Sequence, residues 1–147
     1  MTISLKYASI KRGESSKKLP YIPIDLKGED GKNWFHTYAL LDSGADISVI
    51  PSDFAELIGV KIGKEIAISK GIGGPVKVVN STMNFQLKGD HRTYTYNIPV
   101  QVILDKTDAP PLLGRDGFFS YFRIEFDHYN ERIRLLKNNI TDFRMKK

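Results

Sequence analysis

The chain has 147 residues, 41% hydrophobic and 27% charged, which suits one domain whose core needs no covalent staples. It contains no cysteine, and this excludes disulfides, thiolate metal sites and a cysteine nucleophile. The net charge of +5 raises acidic partners, but the basic residues are scattered without a basic helix or an aromatic-basic platform, so no nucleic acid is expected as a partner.

In chain order, residues 3–10 and 20–26 alternate around a polar 11–18 loop and read as an N-terminal hairpin. Gly28-Glu29-Asp30-Gly31 is a turn before a strand at 34–41. Pro51 to Gly59 reads as a short helix, with Ser52 at its start and Gly59 as its stop. Strands at 64–70 and 75–80 flank a glycine turn, and 82–88 with 93–104 form another hairpin. Asp116 is placed to cap a short helix from Gly117 to Tyr121. Segments 122–127 and 132–136 then alternate around Tyr129-Asn130-Glu131 as a last hairpin. This pattern predicts an all-β protein with one or two short helices. It forms one domain over 1–147, with an N-terminal hairpin extension (about 1–33) and a short basic tail (about 138–147).

Charge at Lys6 comes too early for a secretory apolar region, and no run approaches the roughly 20 apolar residues of a membrane span. The expected setting is therefore cytoplasmic, with no membrane segment. His36, His91 and His128 are far apart and show no ligand spacing, so neither a metal nor another cofactor is expected.

One acid stands out. Asp42 ends the apolar run Tyr38-Ala39-Leu40-Leu41 and is followed by Ser43 and Gly44, then by the β-prone Ala45-Asp46-Ile47-Ser48-Val49-Ile50. A carboxylate at the end of a buried strand is costly unless it is paired or functional. Two further segments stand at sensible distances: Gly71-Ile72-Gly73-Gly74 and Leu112-Leu113-Gly114-Arg115-Asp116. The glycine segment is no phosphate cradle, because the β-branched Val76-Lys77-Val78-Val79 follows it instead of a helix. It also suits an ordinary hairpin turn.

From Asp42 through Asp116, these segments in this order resemble the retropepsin-like aspartic peptidases, the single-lobed relatives of pepsin that include the retroviral proteases. The resemblance implies a single-lobed acid-protease β-barrel with a flap hairpin. Asp42-Ser43-Gly44 corresponds to the catalytic loop, Gly71-Ile72-Gly73-Gly74 to the flap tip, and Leu112 to Arg115 to the segment opening the C-terminal helix. On that resemblance Ser43 locks two loops across a dimer axis, and Gly44 admits the substrate backbone. Ala45 keeps the groove floor low, and Asp46 pairs with Arg115. Leu40, Val49, Ile72 and Leu112 wall an apolar substrate site.

The chain carries only one Asp-Ser/Thr-Gly triplet, whereas the chemistry needs two carboxylates sharing one proton. The implied form is thus a homodimer cutting extended polypeptide between apolar residues. A catalytically weak or silent dimerisation and peptide-binding module of the same fold is the alternative. The sequence departs from the family pattern at Lys70, at Pro75, which removes a donor and predicts a shorter or bent flap, and in its extensions at both ends.

Overall fold

A computed structural model describes residues 2–28, 30–60, 62–71, 73–89 and 91–138; Ile72 and most of the predicted basic tail lie outside them. The elements run β1 (Thr2–Lys6), β2 (Ala8–Arg12), β3 (Ser15–Leu19), β4 (Tyr21–Lys27), β5 (Trp34–Leu41), β6 (Ser48–Pro51), α1 (Ser52–Leu57), β7 (Ile66–Gly71) and β8 (Gly74–Lys88). They continue with β9 (Thr93–Ile103), β10 (Leu112–Leu113), α2 (Phe118–Tyr121), β11 (Phe122–Asp127) and β12 (Arg132–Lys137).

Seven strands form one sheet in the order β4-β5-β10-β6-β9-β8-β7, and β8 also pairs back onto β4. That return pairing, Asp25↔Gln86 and Leu26↔Phe85, closes six strands into a barrel and leaves β7 hanging from β8 as a hairpin arm. Period-two alternation fills the interior: Met83, Phe85 and Leu87 from β8 and Tyr96, Ile98, Val100 and Val102 from β9 are all buried. Ile22, Ile24 and Leu26 complete the wall from β4. Phe118 packs on Phe85 (ring centroids 5.9 Å) and Phe122 (5.1 Å), which seats α2 against the barrel.

A second sheet, β1-β12-β11, is made of the two ends of the chain, with Thr2↔Leu136 through Lys6↔Arg132 in register. The terminal strands fold back within one chain. This overturns the predicted pairing of 3–10 with 20–26. The chain turns at Tyr7, whose N–H bonds the Glu131 carbonyl (2.8 Å), so β1 leaves toward β12 while β4 joins the barrel. The predicted 11–18 loop is largely strand, since β2 and β3 form a separate two-stranded hairpin. Of the predicted N-terminal extension, only this hairpin stands outside both larger sheets.

Three local expectations are also corrected. The segments 75–80 and 82–88 are one continuous strand, β8, because no Gly or Pro interrupts them at Ser81. The N-cap of α1 is Pro51, not Ser52, and makes no side-chain cap. The N-cap of α2 is Gly117, not Asp116; its φ of 101° and an added Cβ 3.0 Å from Ile98 Cβ both demand glycine. Gly59 stops α1 as expected, at φ 63°.

Candidate active site

Asp42 sits where β5 leaves the barrel. Its position is set by β10, which lies between β5 and β6, parallel to the first and antiparallel to the second. Leu40 N–H donates to the Pro111 carbonyl (2.9 Å) and Asp42 N–H to the Leu113 carbonyl (3.0 Å), so the ladder holds the acid's own backbone. From the other side, Leu41 N–H reaches the Pro20 carbonyl at 3.3 Å.

The loop after Asp42 is tied at almost every residue. Gly44 N–H donates to Asp42 Oδ1 (2.9 Å), fixing the carboxylate's rotamer, and Ala45 N–H donates to the Asp42 carbonyl (3.2 Å). Arg115 N–H donates to the Ala45 carbonyl (2.9 Å) and Asp116 N–H to that of Asp46 (2.7 Å). The Arg115 guanidinium spans the loop: Nη1 bonds the Ser43 carbonyl (2.9 Å), and Nη2 bonds the Asp46 carboxylate. A planar fork with two separate donors suits this double task, which a lysine could not perform.

Underneath, the fully buried Ser48 hydroxyl accepts the Gly114 N–H at 2.9 Å. A Cβ on Gly114 would stand 2.7 Å from the Ile47 carbonyl carbon and 3.0 Å from the Ala45 oxygen. Only glycine lets the two segments approach this closely.

Asp42 itself is half-buried, and Ser43, Gly44 and Asp46 are exposed. The expected burial of the acid is not met in the single chain, because its strand ends at the surface. Leu40, Leu112 and Val49 are register neighbours across three strands and all half-buried. Leu41 and Leu113 alternate inward to the core, so this row lies on the opposite face, next to the Asp42 loop. Ala45 is half-buried as well.

Asp42, Ser43, Gly44, Ala45, Asp46, Leu40, Val49, Leu112 and Arg115 thus come together. Gly71, Gly73 and Gly74 do not join them; they stand at the tip of the β7–β8 hairpin, and the expected contribution of Ile72 lies outside the described residues. Added Cβ atoms at these three glycines would meet nothing within 4 Å, and Gly74 requires glycine through its φ of 102°. The hairpin is not shortened by Pro75, since pairing runs through Lys70↔Pro75 to Gly71↔Gly74. At that point β8 has only one neighbour, because its ladder with β9 begins at Val78, so an open side accommodates the missing N–H.

Sequence reasoning missed Ser48. Its signal was the alternation itself, because an inward Ile50 puts Ser48 inward too. It also missed Asp25, which is 8% exposed at the barrel seam and paired with His36 from β5 and with Lys88 from β8 (3.4 Å).

No family model matches the sequence, and no curated protein is similar to it. Solved structures share its fold, two of them over most of the chain. One is a retropepsin-like aspartic protease from Rickettsia conorii, with a TM-score of 0.57 and 16% identity over 92% of this chain and 91% of that one. The other is the retroviral protease-like domain of Ddi1 from Leishmania major, with a TM-score of 0.53 and 16% identity over 83% of this chain and 90% of that one. The fold is retropepsin-like and all-β. Among the described residues, no helix is long and apolar enough to cross a membrane.

Proposed function

We propose that the chain is an aspartic endopeptidase that works as a twofold homodimer on extended polypeptide. One observation carries the reading. Asp42 is held by its own loop on one carboxylate oxygen, yet it stands at an open surface of a chain with a single Asp-Ser-Gly triplet. Two such loops meeting on an axis bring two carboxylates within a few ångströms, where they share one proton because both cannot ionise. The ionised carboxylate takes a proton from a water between them as the water attacks the peptide carbonyl. The protonated one gives its proton to the carbonyl oxygen, forming the neutral tetrahedral diol. Collapse then breaks the C–N bond as a proton passes to the leaving amine.

Leu40, Val49 and Leu112 offer an apolar floor, so the cut falls between large apolar residues. Substrate lies as an added strand under the β7–β8 hairpin. The test is a peptide-library digest with wild type and Asp42→Asn from about pH 3 to about pH 8. Cleavage by wild type that disappears with Asp42→Asn is expected. Cleavage that survives the substitution overturns the reading.

A further inference from the structure

Among the described residues the β2–β3 hairpin has no sheet partner, and both of its strands are open edges. An isolated two-stranded hairpin is marginal in water and needs a reason to persist. Its core contribution is small: Ala8, Ile10 and Leu19 near the stem are only half-buried. The exposed Ser9, Lys11, Ser16 and Lys18 share the opposite face, by the register Ser9↔Lys18 and Lys11↔Ser16. Within residues 8–19, Lys11, Arg12, Lys17 and Lys18 stand against Glu14 alone, so this segment carries three of the chain's five net positive charges. Lys18 is paired with Glu131 at 3.2 Å, while Lys11 and Lys17 have no ion-pair partner among the described residues.

The stem is anchored beside the candidate active site. Leu19 precedes Pro20, whose carbonyl holds the N–H of Leu41, the residue before Asp42. On the other side, Ala8 follows Tyr7, fixed by its bond to Glu131 and by packing on His128 (5.7 Å). Five-residue strands extend roughly 17 Å from that stem, the length of about five residues of extended polypeptide.

We propose that this hairpin is a basic arm that binds an acidic stretch of the polypeptide substrate, about five or more residues from the bond cut at Asp42. Its open edges offer backbone groups to an extended segment, and Lys11 on one face with Lys17, opposite Ile10, on the other offer unpaired charge to carboxylates that alternate along that segment. The inference rests on the peptidase reading for the identity of the ligand as substrate, but the binding itself needs no cleavage.

The experiment uses full-length Asp42→Asn protein and fluorescein-labelled peptides with one apolar centre. Their flanks, about seven residues away, are rich in either Glu or Gln. Anisotropy at about 0.05 M and about 0.3 M salt should show the Glu peptide binding about fivefold more tightly, with most of the preference lost at high salt. Lys11→Glu with Lys17→Glu should abolish or reverse the preference, and the milder Lys11→Gln with Lys17→Gln should reduce it. Circular dichroism of both variants checks the fold. Equal binding of the two peptides, or a preference untouched by either variant, overturns the proposal. So does tighter binding of a single-stranded oligonucleotide that depends on the same lysines, which would make the arm a nucleic-acid site. Wild-type digestion of the two peptides separates the two readings. No cleavage with the preference intact removes the peptidase and leaves an acidic-peptide site; cleavage without preference removes the arm alone.

Discussion

The Ser48 hydroxyl accepts the Gly114 N–H at 2.9 Å across 66 positions of sequence, in a place without solvent access. This bond joins β6 to the segment carrying Arg115, which in turn holds the carbonyls of Ser43 and, through Asp46, the end of the Asp42 loop. Ser48→Ala leaves a buried N–H unpaired and should cost about 1–2 kcal/mol of stability. In an active enzyme it should lower kcat more than it changes KM, because it loosens the carboxylate and leaves the apolar row intact. Gly114→Ala should be worse, about 3 kcal/mol, since its Cβ meets backbone on two sides. Thermal melts and steady-state kinetics check both. A Gly114→Ala protein as stable as wild type would contradict the close approach.

If each chain supplies one acid, inactive chains should poison active ones. Mixing Asp42→Asn with wild type at three to one, after exchange, should leave roughly a quarter of the wild-type chains in fully wild-type dimers. Activity should fall to about that share, with the wild-type concentration held constant. Undiminished activity, or full activity from a monomer in sedimentation, would rule out the shared site.

The barrel closes where β8 returns to β4, and there Asp25 is held between His36 and Lys88. Asp25→Ala removes the acceptor from both and leaves a gap at the seam, with an expected loss of about 2 kcal/mol in urea unfolding. Lys88→Ala, which removes a partner that is itself largely solvent-exposed, should cost less. A larger effect for Lys88→Ala than for Asp25→Ala would reverse the assignment of which group anchors the seam.

Tyr96 is buried, and its hydroxyl finds no hydrogen-bond partner among the described residues. Burial, with Tyr94 and Tyr121 nearby, pushes its pKa from 10.0 up to about 12. The folded protein therefore favours the neutral phenol. Stability from this group is complete below pH 10 and is lost as pH rises through about 12. Tyr96→Phe removes the unpaired hydroxyl and should raise stability near neutrality by about 1 kcal/mol. It should also flatten the alkaline loss, leaving the smaller contribution of Tyr7, whose pKa burial also raises. Alkaline melts of the two proteins make the comparison. A less stable Tyr96→Phe at pH 7 would show that the hydroxyl is bonded after all.

Local geometry was legible where it is written in a short window. The Asp42 triplet, the glycines of the β7–β8 tip, the Gly59 stop and the Leu112 to Arg115 segment all announce themselves within a few residues. Strand partnership was not legible. Residues 3–10 and 20–26 are both alternating and are separated by a polar stretch, so a hairpin between them is the natural local reading. What decides against it is a partner for β1 about 130 positions away, and no local pattern carries that information. Ser48 and Asp25 were missed for a related reason. Ser48 is a polar residue at an inward position and Asp25 one on the outer face of the seam, and each becomes meaningful only when a glycine or a lysine from a distant segment arrives beside it.

The pairing of Thr2 with Leu136 also fixes an order of events during synthesis. A chain emerging from the ribosome presents β1 about 130 residues before β12, so β1 must wait with its edges unsatisfied while the barrel strands between them are made. The barrel strands, whose partners lie mostly closer in sequence, can assemble before it. A chain truncated before residue 132 and released from the ribosome should therefore hold a protease-resistant barrel and a cleavable first segment. Extending that chain through Lys137 should protect β1 and β12 together.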